Sequence, residues 1–178
     1  MERTELEQIV QYDYSYNDDF DITEIDARFS CLIGSFIIYF NSLENELNVC
    51  LADIIHSASH EMGYQIIEGL MMQNKIKLFY RLYLTLASNL APRKKKRIKE
   101  IKDALTKINL FRNILVHGNW SLYNKNGMLR TKFYTDTKGN GEVYFKSIRV
   151  LKRDIKSKIA QIRKLELEIF ELRDILIN

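Results

Sequence analysis

Apolar residues recur at three- and four-residue steps through most of this chain, the spacing that places side chains on one face of an α-helix. The first such stretch begins near Thr23 and Asp26, a pair that resembles a helix-start box, and continues to about His56. Its apolar positions are Phe29, Ile33, Phe36, Ile37, Phe40, Leu43, Leu47, Leu51 and Ile54. The pattern predicts one long amphipathic helix.

Three further stretches have the same periodicity. A second helix is predicted over about residues 61–90, and Pro92 either stops it or opens the next one. The third helix covers about residues 93–117, with Gly118 as the expected terminator. A long C-terminal helix is predicted over residues 151–176.

The periodicity changes between the third and the last helix. Residues 119–148 alternate between apolar and polar positions and contain Asn-Gly pairs at 126–127 and 140–141, which predicts a small β-hairpin or a three-stranded meander. The predicted fold class is all-α: an antiparallel up-and-down four-helix bundle with this β-hairpin insert before the C-terminal helix. The bundle domain is predicted to span residues 23–178, after an acidic N-terminal arm at residues 1–22.

The composition agrees with a helical domain and argues against other classes. Of the 178 residues 46% are apolar, while one Pro and seven Gly leave little room for loops. No long apolar run predicts a membrane span, and no basic segment followed by an apolar stretch marks a secretory signal. Cys31 and Cys50 fall in helical patterns and are predicted to be small core residues in a reducing compartment, so the expected location is cytoplasmic.

The net charge of +4 conceals an uneven distribution. Residues 1–26 hold nine acidic residues and one Arg, a balance of −8, whereas residues 27–178 have a balance of +12. The positive net charge of residues 27–178 suits binding to a polyanion such as RNA, although an ordinary Lys-rich solvated surface would give the same net charge. The densest basic run opens a predicted helix, where the dipole disfavours cations, and is interpreted either as an RNA phosphate contact or as a solvated charged turn. Its cations are Arg93, Lys94, Lys95, Lys96 and Arg97.

The segment 111–120, FRNILVHGNW, places an arginine in an apolar stripe. The stripe of the third predicted helix comprises Ile101, Leu105, Ile108 and Leu115. On a helical wheel Arg112 lies close to the middle of this stripe, and burial of a guanidinium costs several kcal/mol unless it is paired. Glu44 lies on the apolar stripe of the first helix, so a Glu44–Arg112 pair between the two helices is predicted.

Two further polar residues lie near Arg112. Asn113 and His117 are four residues apart and share a helix face, and Arg112 is about 100° around the helix from Asn113. His117 lies at the C-terminal end of the helix, where the dipole favours a protonated ring. Two interpretations stay open at this point: a structural Arg pair with a capping His, or an active site in which Arg grips a phosphate and His transfers protons.

The string Arg112-Asn113-Ile-Leu-Val-His117-Gly118 resembles the signature of the HEPN superfamily (higher eukaryotes and prokaryotes nucleotide-binding). In that signature an Arg, commonly followed by Asn, Asp or His, precedes a His by a short spacer. The resemblance implies a helical bundle that dimerises with the two motifs facing each other. It also implies a metal-independent endoribonuclease with Arg112 and His117 as catalytic residues and Asn113 as their polar support. Glu44 corresponds more loosely to an acidic residue often found on an earlier helix of such proteins.

The resemblance also implies partners. These are an RNA substrate, a second copy of the chain and an antitoxin or regulatory protein, for a toxin or an abortive-infection (antiviral) effector that needs no cofactor, metal or membrane. In the subgroup controlled by nucleotidyltransferase antitoxins a tyrosine follows the His by two positions, whereas this chain has Asn119 there. The alternative function is a non-catalytic HEPN-like module that binds RNA or nucleotides or mediates dimerisation.

Two weaker patterns each have a structural explanation. His56 and His60 have the spacing of a helical metal pair, but no motif surrounds them and no metal site is predicted. Aromatic residues in the β insert suit base stacking, although packing against the bundle is the favoured interpretation. These aromatic residues are Tyr134, Tyr144 and Phe145.

Overall fold

The computed structural model describes residues 22–56, 58–86, 92–124, 126–135 and 143–177. The predicted acidic arm, apart from Ile22, and the predicted turn at 140–141 lie outside the described residues. Within these ranges the chain is mostly helical, with a small antiparallel sheet before the last helix.

Five helices occur in the described ranges: α1 (Ile22–Ile55), α2 (His60–Ile67), α3 (Met72–Leu86), α4 (Pro92–Val116) and α5 (Lys152–Ile177). The predicted first, third and C-terminal helices are confirmed as α1, α4 and α5, each shifted by one residue at either end. Pro92 opens α4, because its fixed φ and missing N–H suit the first position of a helix. In this part of the chain, none of the helices combines the length and the hydropathy that crossing a membrane requires.

The prediction of a single second helix is wrong, because α2 and α3 divide the span predicted at 61–90. Gly69 lies between them with a φ of +74°, a left-handed conformation that ends helices and that glycine adopts without strain. Ser59 opens α2 as its N-cap, where its hydroxyl oxygen accepts a hydrogen bond from the Met62 N–H at 3.5 Å. Residues 87–90 lie outside the described ranges.

Three strands precede α5: β1 (Asn119–Asn124), β2 (Gly127–Thr135) and β3 (Val143–Leu151). They form one antiparallel sheet in the order β1-β2-β3, so the three-stranded meander is the correct one of the two predicted topologies. The chain reverses between β1 and β2 at the predicted place, but Asn124 pairs with Gly127, so Gly127 already belongs to β2 and the Asn-Gly pair does not form the two central residues of the turn. The β3 strand continues to Leu151, beyond the predicted end of the insert at residue 148.

The described residues form two compact units, one within residues 22–34 and 114–156 and the other within residues 35–113 and 157–177. In the described part of the second unit, α1, α3, α4 and α5 all contribute buried apolar side chains, whose removal from water stabilises this unit. They include Phe36, Phe40, Leu43, Leu47, Leu51, Ile76, Phe79, Tyr83, Ile98, Ile101, Leu105, Ile108, Ile162, Leu165 and Ile169. The buried residues of the first unit include Phe29, Leu115, Met128, Val150 and Ile155.

The two cysteines differ in environment. Cys50 is fully buried and its Sγ lies 3.4 Å from the Tyr83 hydroxyl oxygen, so its predicted core position is confirmed. Burial disfavours the thiolate and raises the pKa of the Cys50 thiol to about 11. Cys31 is exposed on α1, which corrects the prediction that it is a core residue. Helical periodicity does not decide whether a small residue at the edge of an apolar stripe is buried or exposed.

Candidate functional site: Arg112, His117 and their surroundings

On α4, Arg112 lies between Ile108 and Leu115, which belong to the buried face of this helix. This face comprises Ile98, Ile101, Leu105, Ile108, Phe111 and Leu115. Phe111 packs edge-on against Phe36 of α1, with the ring centroids 5.4 Å apart. Arg112 itself is only partly buried, because a long side chain can cover apolar surface with its stem while its charged end stays near water.

Two neutral groups contact the guanidinium of Arg112. Its Nη1 donates a hydrogen bond to Oδ1 of Asn113 at 3.2 Å, and its Cζ lies 5.8 Å from the ring centroid of Phe40. Phe40 is 2% exposed, so this cation–π contact has one desolvated partner. Among the described residues no carboxylate forms an ion pair with Arg112. The positive charge is therefore oriented by neighbours that do not neutralise it.

Glu44 has a different partner from the predicted one. Lys75 of α3 donates a hydrogen bond from Nζ to Oε1 of Glu44 at 2.7 Å, which corrects the predicted Glu44–Arg112 pair. The Lys75 side chain is 11% exposed, and a buried ammonium needs a counter-ion more than the partly exposed Arg112 does. Glu44 therefore compensates a buried charge on α3, and no acidic residue in the described part of the chain pairs with Arg112.

This pairing predicts how substitutions at Glu44 act. Glu44→Gln should lower the free energy of unfolding by about 1–2 kcal/mol, because it leaves the Lys75 ammonium uncompensated; the figure is reduced because Glu44 is 28% exposed. The double variant Glu44→Gln with Lys75→Met should recover most of the loss, since the unpaired charge is removed. Urea unfolding followed by circular dichroism measures each variant. A coupling between Glu44 and Arg112 that exceeds the one between Glu44 and Lys75 would contradict the pairing.

His117 follows the last residue of α4 and is exposed. Its backbone carbonyl accepts a hydrogen bond from Nε of Arg130, on β2, at 2.6 Å. Gly118 has a φ of +138°, and a Cβ at this position would lie 2.9 Å from Cγ of Arg130 and closer still to Nε. Glycine is therefore required here for its conformation and for the space that Arg130 occupies.

The strand next to Arg130 reaches the same end of α4. Trp120 of β1 pairs in register with Arg130, and its indole Nε1 donates to the carbonyl of Leu115 at 3.3 Å. The last carbonyls of a helix have no partner within the helix, and a cation near them also interacts favourably with the dipole. One cross-strand pair, Trp120 and Arg130, thus provides donors to two carbonyls at and just beyond the C-terminal end of α4.

The basic run at the start of α4 is only partly available to a ligand. Arg97 pairs with Glu168 of α5 at 2.7 Å and with Glu100 at 3.9 Å, so part of its charge is compensated within the protein. Lys95 is partly exposed. Arg93, Lys94 and Lys96 are exposed. The exposed members suit phosphate contact better than Arg97 does.

His56 and His60 do not belong to a metal site in the described part of the chain. His60 is paired through Nδ1 with Oδ1 of Asp53 at 2.6 Å. In the part of the chain that the structure describes, no group of three or more His, Cys, Asp or Glu is arranged to hold a metal ion. The side chains of Tyr134, Tyr144 and Phe145 lie outside the described residues, although the backbone register places Tyr134 opposite Tyr144.

The resemblance to HEPN proteins depends on a short string at the end of α4 and just after it. The structure adds Lys75, Trp120 and Arg130 to the residues that sequence reasoning singled out. The sequence does contain a signal for the burial of Arg130. It lies two positions after Met128, which is buried, and residues two apart on a strand lie on the same face of the sheet. Comparisons of this chain with family models, with curated proteins and with solved structures gave no significant match.

Proposed function

We propose that this chain is a metal-independent endoribonuclease of the HEPN type, with Arg112 and His117 as its catalytic residues. The observation that carries the proposal is the state of Arg112: a partly buried guanidinium whose described contacts are a neutral amide and an aromatic ring. Glu44, the acidic partner that a structural Arg112 pair would use, pairs with Lys75 instead. A guanidinium that has no counter-ion among the described residues supports a role in binding an anionic ligand such as a phosphodiester.

The chemistry follows from RNA and from these residue types. The 2′-oxygen attacks the adjacent phosphorus, the bond from phosphorus to the 5′-oxygen breaks, and the products are a 2′,3′-cyclic phosphate and a 5′-hydroxyl. A base removes the 2′-hydroxyl proton and an acid protonates the departing 5′-oxygen; an exposed imidazole such as that of His117 suits both tasks. The Arg112 fork stabilises the negative charge that develops on the non-bridging oxygens.

Asn113 acts in this scheme as the support of Arg112. Its Oδ1 accepts from Nη1, which fixes one edge of the guanidinium and leaves the other donors for phosphate oxygens. Arg93, Lys94, Lys95, Lys96 and Arg97 form the proposed basic contact with the RNA backbone, with Arg97 the weakest member because Glu168 pairs with it.

The assembly is part of the same proposal. The helices form an up-and-down bundle, and two copies associate so that two Arg112 and two His117 residues serve one substrate, one imidazole as base and the other as acid. In the proposed role as a toxin or an antiviral effector, a separate antitoxin or regulator restrains the cleavage of RNA.

The test is cleavage of a defined RNA by the purified chain in EDTA. The expected products carry a 2′,3′-cyclic phosphate and a 5′-hydroxyl, and one 2′-deoxy substitution should remove cleavage at that position alone, because the nucleophile is absent there. Gel analysis with 3′-end chemistry by mass spectrometry reads both results. RNA that is bound but not cut would support the non-catalytic alternative, and cleavage at the 2′-deoxy position would exclude the mechanism.

A further inference from the structure

Arg130 is a buried cation whose described contact is a backbone carbonyl. It is 5% exposed, and its Nε donates to the carbonyl of His117 at 2.6 Å. Burial of a guanidinium is costly unless the interaction it makes is valuable to the protein. A hydrogen bond from a charged donor is shorter and stronger than one between neutral groups. The residue that receives this bond is the proposed proton-transfer residue, and the bond acts on its main chain rather than on its ring.

The surroundings of this bond restrict it to one geometry. Gly118 has a φ of +138° and lies so close to the Arg130 side chain that a Cβ would overlap with it. Trp120, the cross-strand partner of Arg130, holds the carbonyl of Leu115 through its indole N–H. On its other side, Arg130 pairs in register with Ile148 of β3, so a strand on each side fixes its backbone. The backbone on which the His117 ring is mounted is therefore fixed to the sheet at two carbonyls.

We infer that Arg130 is a positioning residue that sets the orientation of His117 for proton transfer; this inference rests on the function proposed above. A side chain that must pass a proton needs to be held within a fraction of an ångström of its productive position. The bond to the carbonyl removes the main-chain freedom that a residue just past a helix end otherwise has. Arg130 touches neither substrate nor reacting atoms and acts only through His117.

Two substitutions separate the hydrogen bond from the charge. Arg130→Met keeps the stem length and removes every donor, whereas Arg130→Lys keeps the charge but places a methylene where Nε donates. Both should lower kcat by about 10-fold to 100-fold with KM changed less than about twofold, because the loss is in orientation and not in RNA binding. Arg149→Met is the matched control: Arg149 lies on β3 of the same sheet, is exposed and contacts Tyr123, so its kcat should equal that of the wild type.

A second readout does not depend on catalysis. Amide hydrogen exchange at Gly118 and Asn119 should accelerate by about 10-fold or more in Arg130→Met and Arg130→Lys, while exchange in the buried part of α4 stays at the wild-type rate. If the wild-type chain cuts no RNA, the proposed function fails, and the exchange rates still decide whether Arg130 restrains this segment. Wild-type kcat in folded Arg130→Met, full recovery of kcat in Arg130→Lys, or unchanged exchange at Gly118 would each overturn the inference.

Discussion

His117→Ala is expected to reduce RNA cleavage by about two to four orders of magnitude while the protein stays folded, because general acid–base catalysis contributes about that much. The side chain is exposed, and the contact to Arg130 uses the backbone carbonyl, which alanine retains. The substitution therefore removes the imidazole and little else. Cleavage of a single-site RNA under single-turnover conditions measures the loss without interference from product release.

Arg112→Lys gives the complementary result. It keeps a positive charge but loses the planar fork that binds two phosphate oxygens at once, so cleavage should fall by about 10²-fold or more. The contact to Phe40 tolerates a lysine ammonium, and the residue is only partly buried, so the melting temperature should change little. A larger effect on cleavage than on RNA binding would place the role of Arg112 in the transition state.

The chain supplies matched controls for both residues. His60→Ala removes a histidine that is exposed and paired with Asp53, and Arg153→Ala removes an arginine that is 82% exposed. Both controls should cut RNA at the wild-type rate. A folded His117→Ala variant that retains full activity would show that the motif has no catalytic role, and equal losses in a control would point to general destabilisation instead.

Hydrophobic periodicity predicted α1, α4 and α5 well because each is long and has one continuous buried face. It failed between α2 and α3 because apolar residues, Ile66 and Leu70 among them, continue the helical spacing across Gly69. The interruption is a property of the backbone: Gly69 adopts a φ of +74°. A glycine inside a periodic stretch is a possible helix end as much as a tolerated helical residue, and only the tertiary structure decides between them.

The candidate site, too, could be predicted from the sequence only in part. Periodicity placed Arg112 among buried neighbours and Glu44 on the inner side of α1, and both lie on faces that are at least partly covered. A helical wheel gives the face of a residue but not the residue opposite it, so the partner of Glu44 was assigned wrongly. Lys75 has the same signal as Arg112, a charge beside buried Ile76 on an apolar stripe. When a sequence offers one acid to two cations on apolar helix faces, the more deeply buried cation has the greater need of it.

The contacts of Arg130 could not be predicted from the sequence, even though its strand face could. Long-range contacts in a meander depend on strand register, and a shift of one residue moves every side chain to the other face of the sheet. The β1–β2 register is irregular between Leu122 and Asn124, and Trp120 pairs with Arg130 beyond this irregularity. The Asn-Gly pair at 126–127 predicts a turn but not this offset, so the two donors at the end of α4 become visible only once the strands are paired.

Gly63→Ala is expected to have the largest effect on stability. Gly63 of α2 is buried against α1, and a Cβ added there would lie 2.5 Å from the carbonyl oxygen and 2.6 Å from the Cα of Ala52. Both atoms belong to the backbone of a long helix, which cannot move aside as a flexible side chain can. The two helices must separate, and the free energy of unfolding should fall by about 3 kcal/mol, which corresponds to roughly 6–12 °C in Tm.

Two other glycines make the cause identifiable. Gly34→Ala, in α1 with open space around it, should stabilise the protein by about 0.5–1 kcal/mol, because alanine is the better helix former. Gly69→Ala also meets no neighbour but carries the strain of φ +74°, so a loss of about 1 kcal/mol is expected. In thermal and urea unfolding, Gly34→Ala should be more stable than the wild type, Gly69→Ala less stable, and Gly63→Ala the least stable of the three. If Gly63→Ala proved no worse than Gly69→Ala, the close approach of α2 to α1 could not be what holds Gly63 in place, since the two substitutions differ chiefly in that contact.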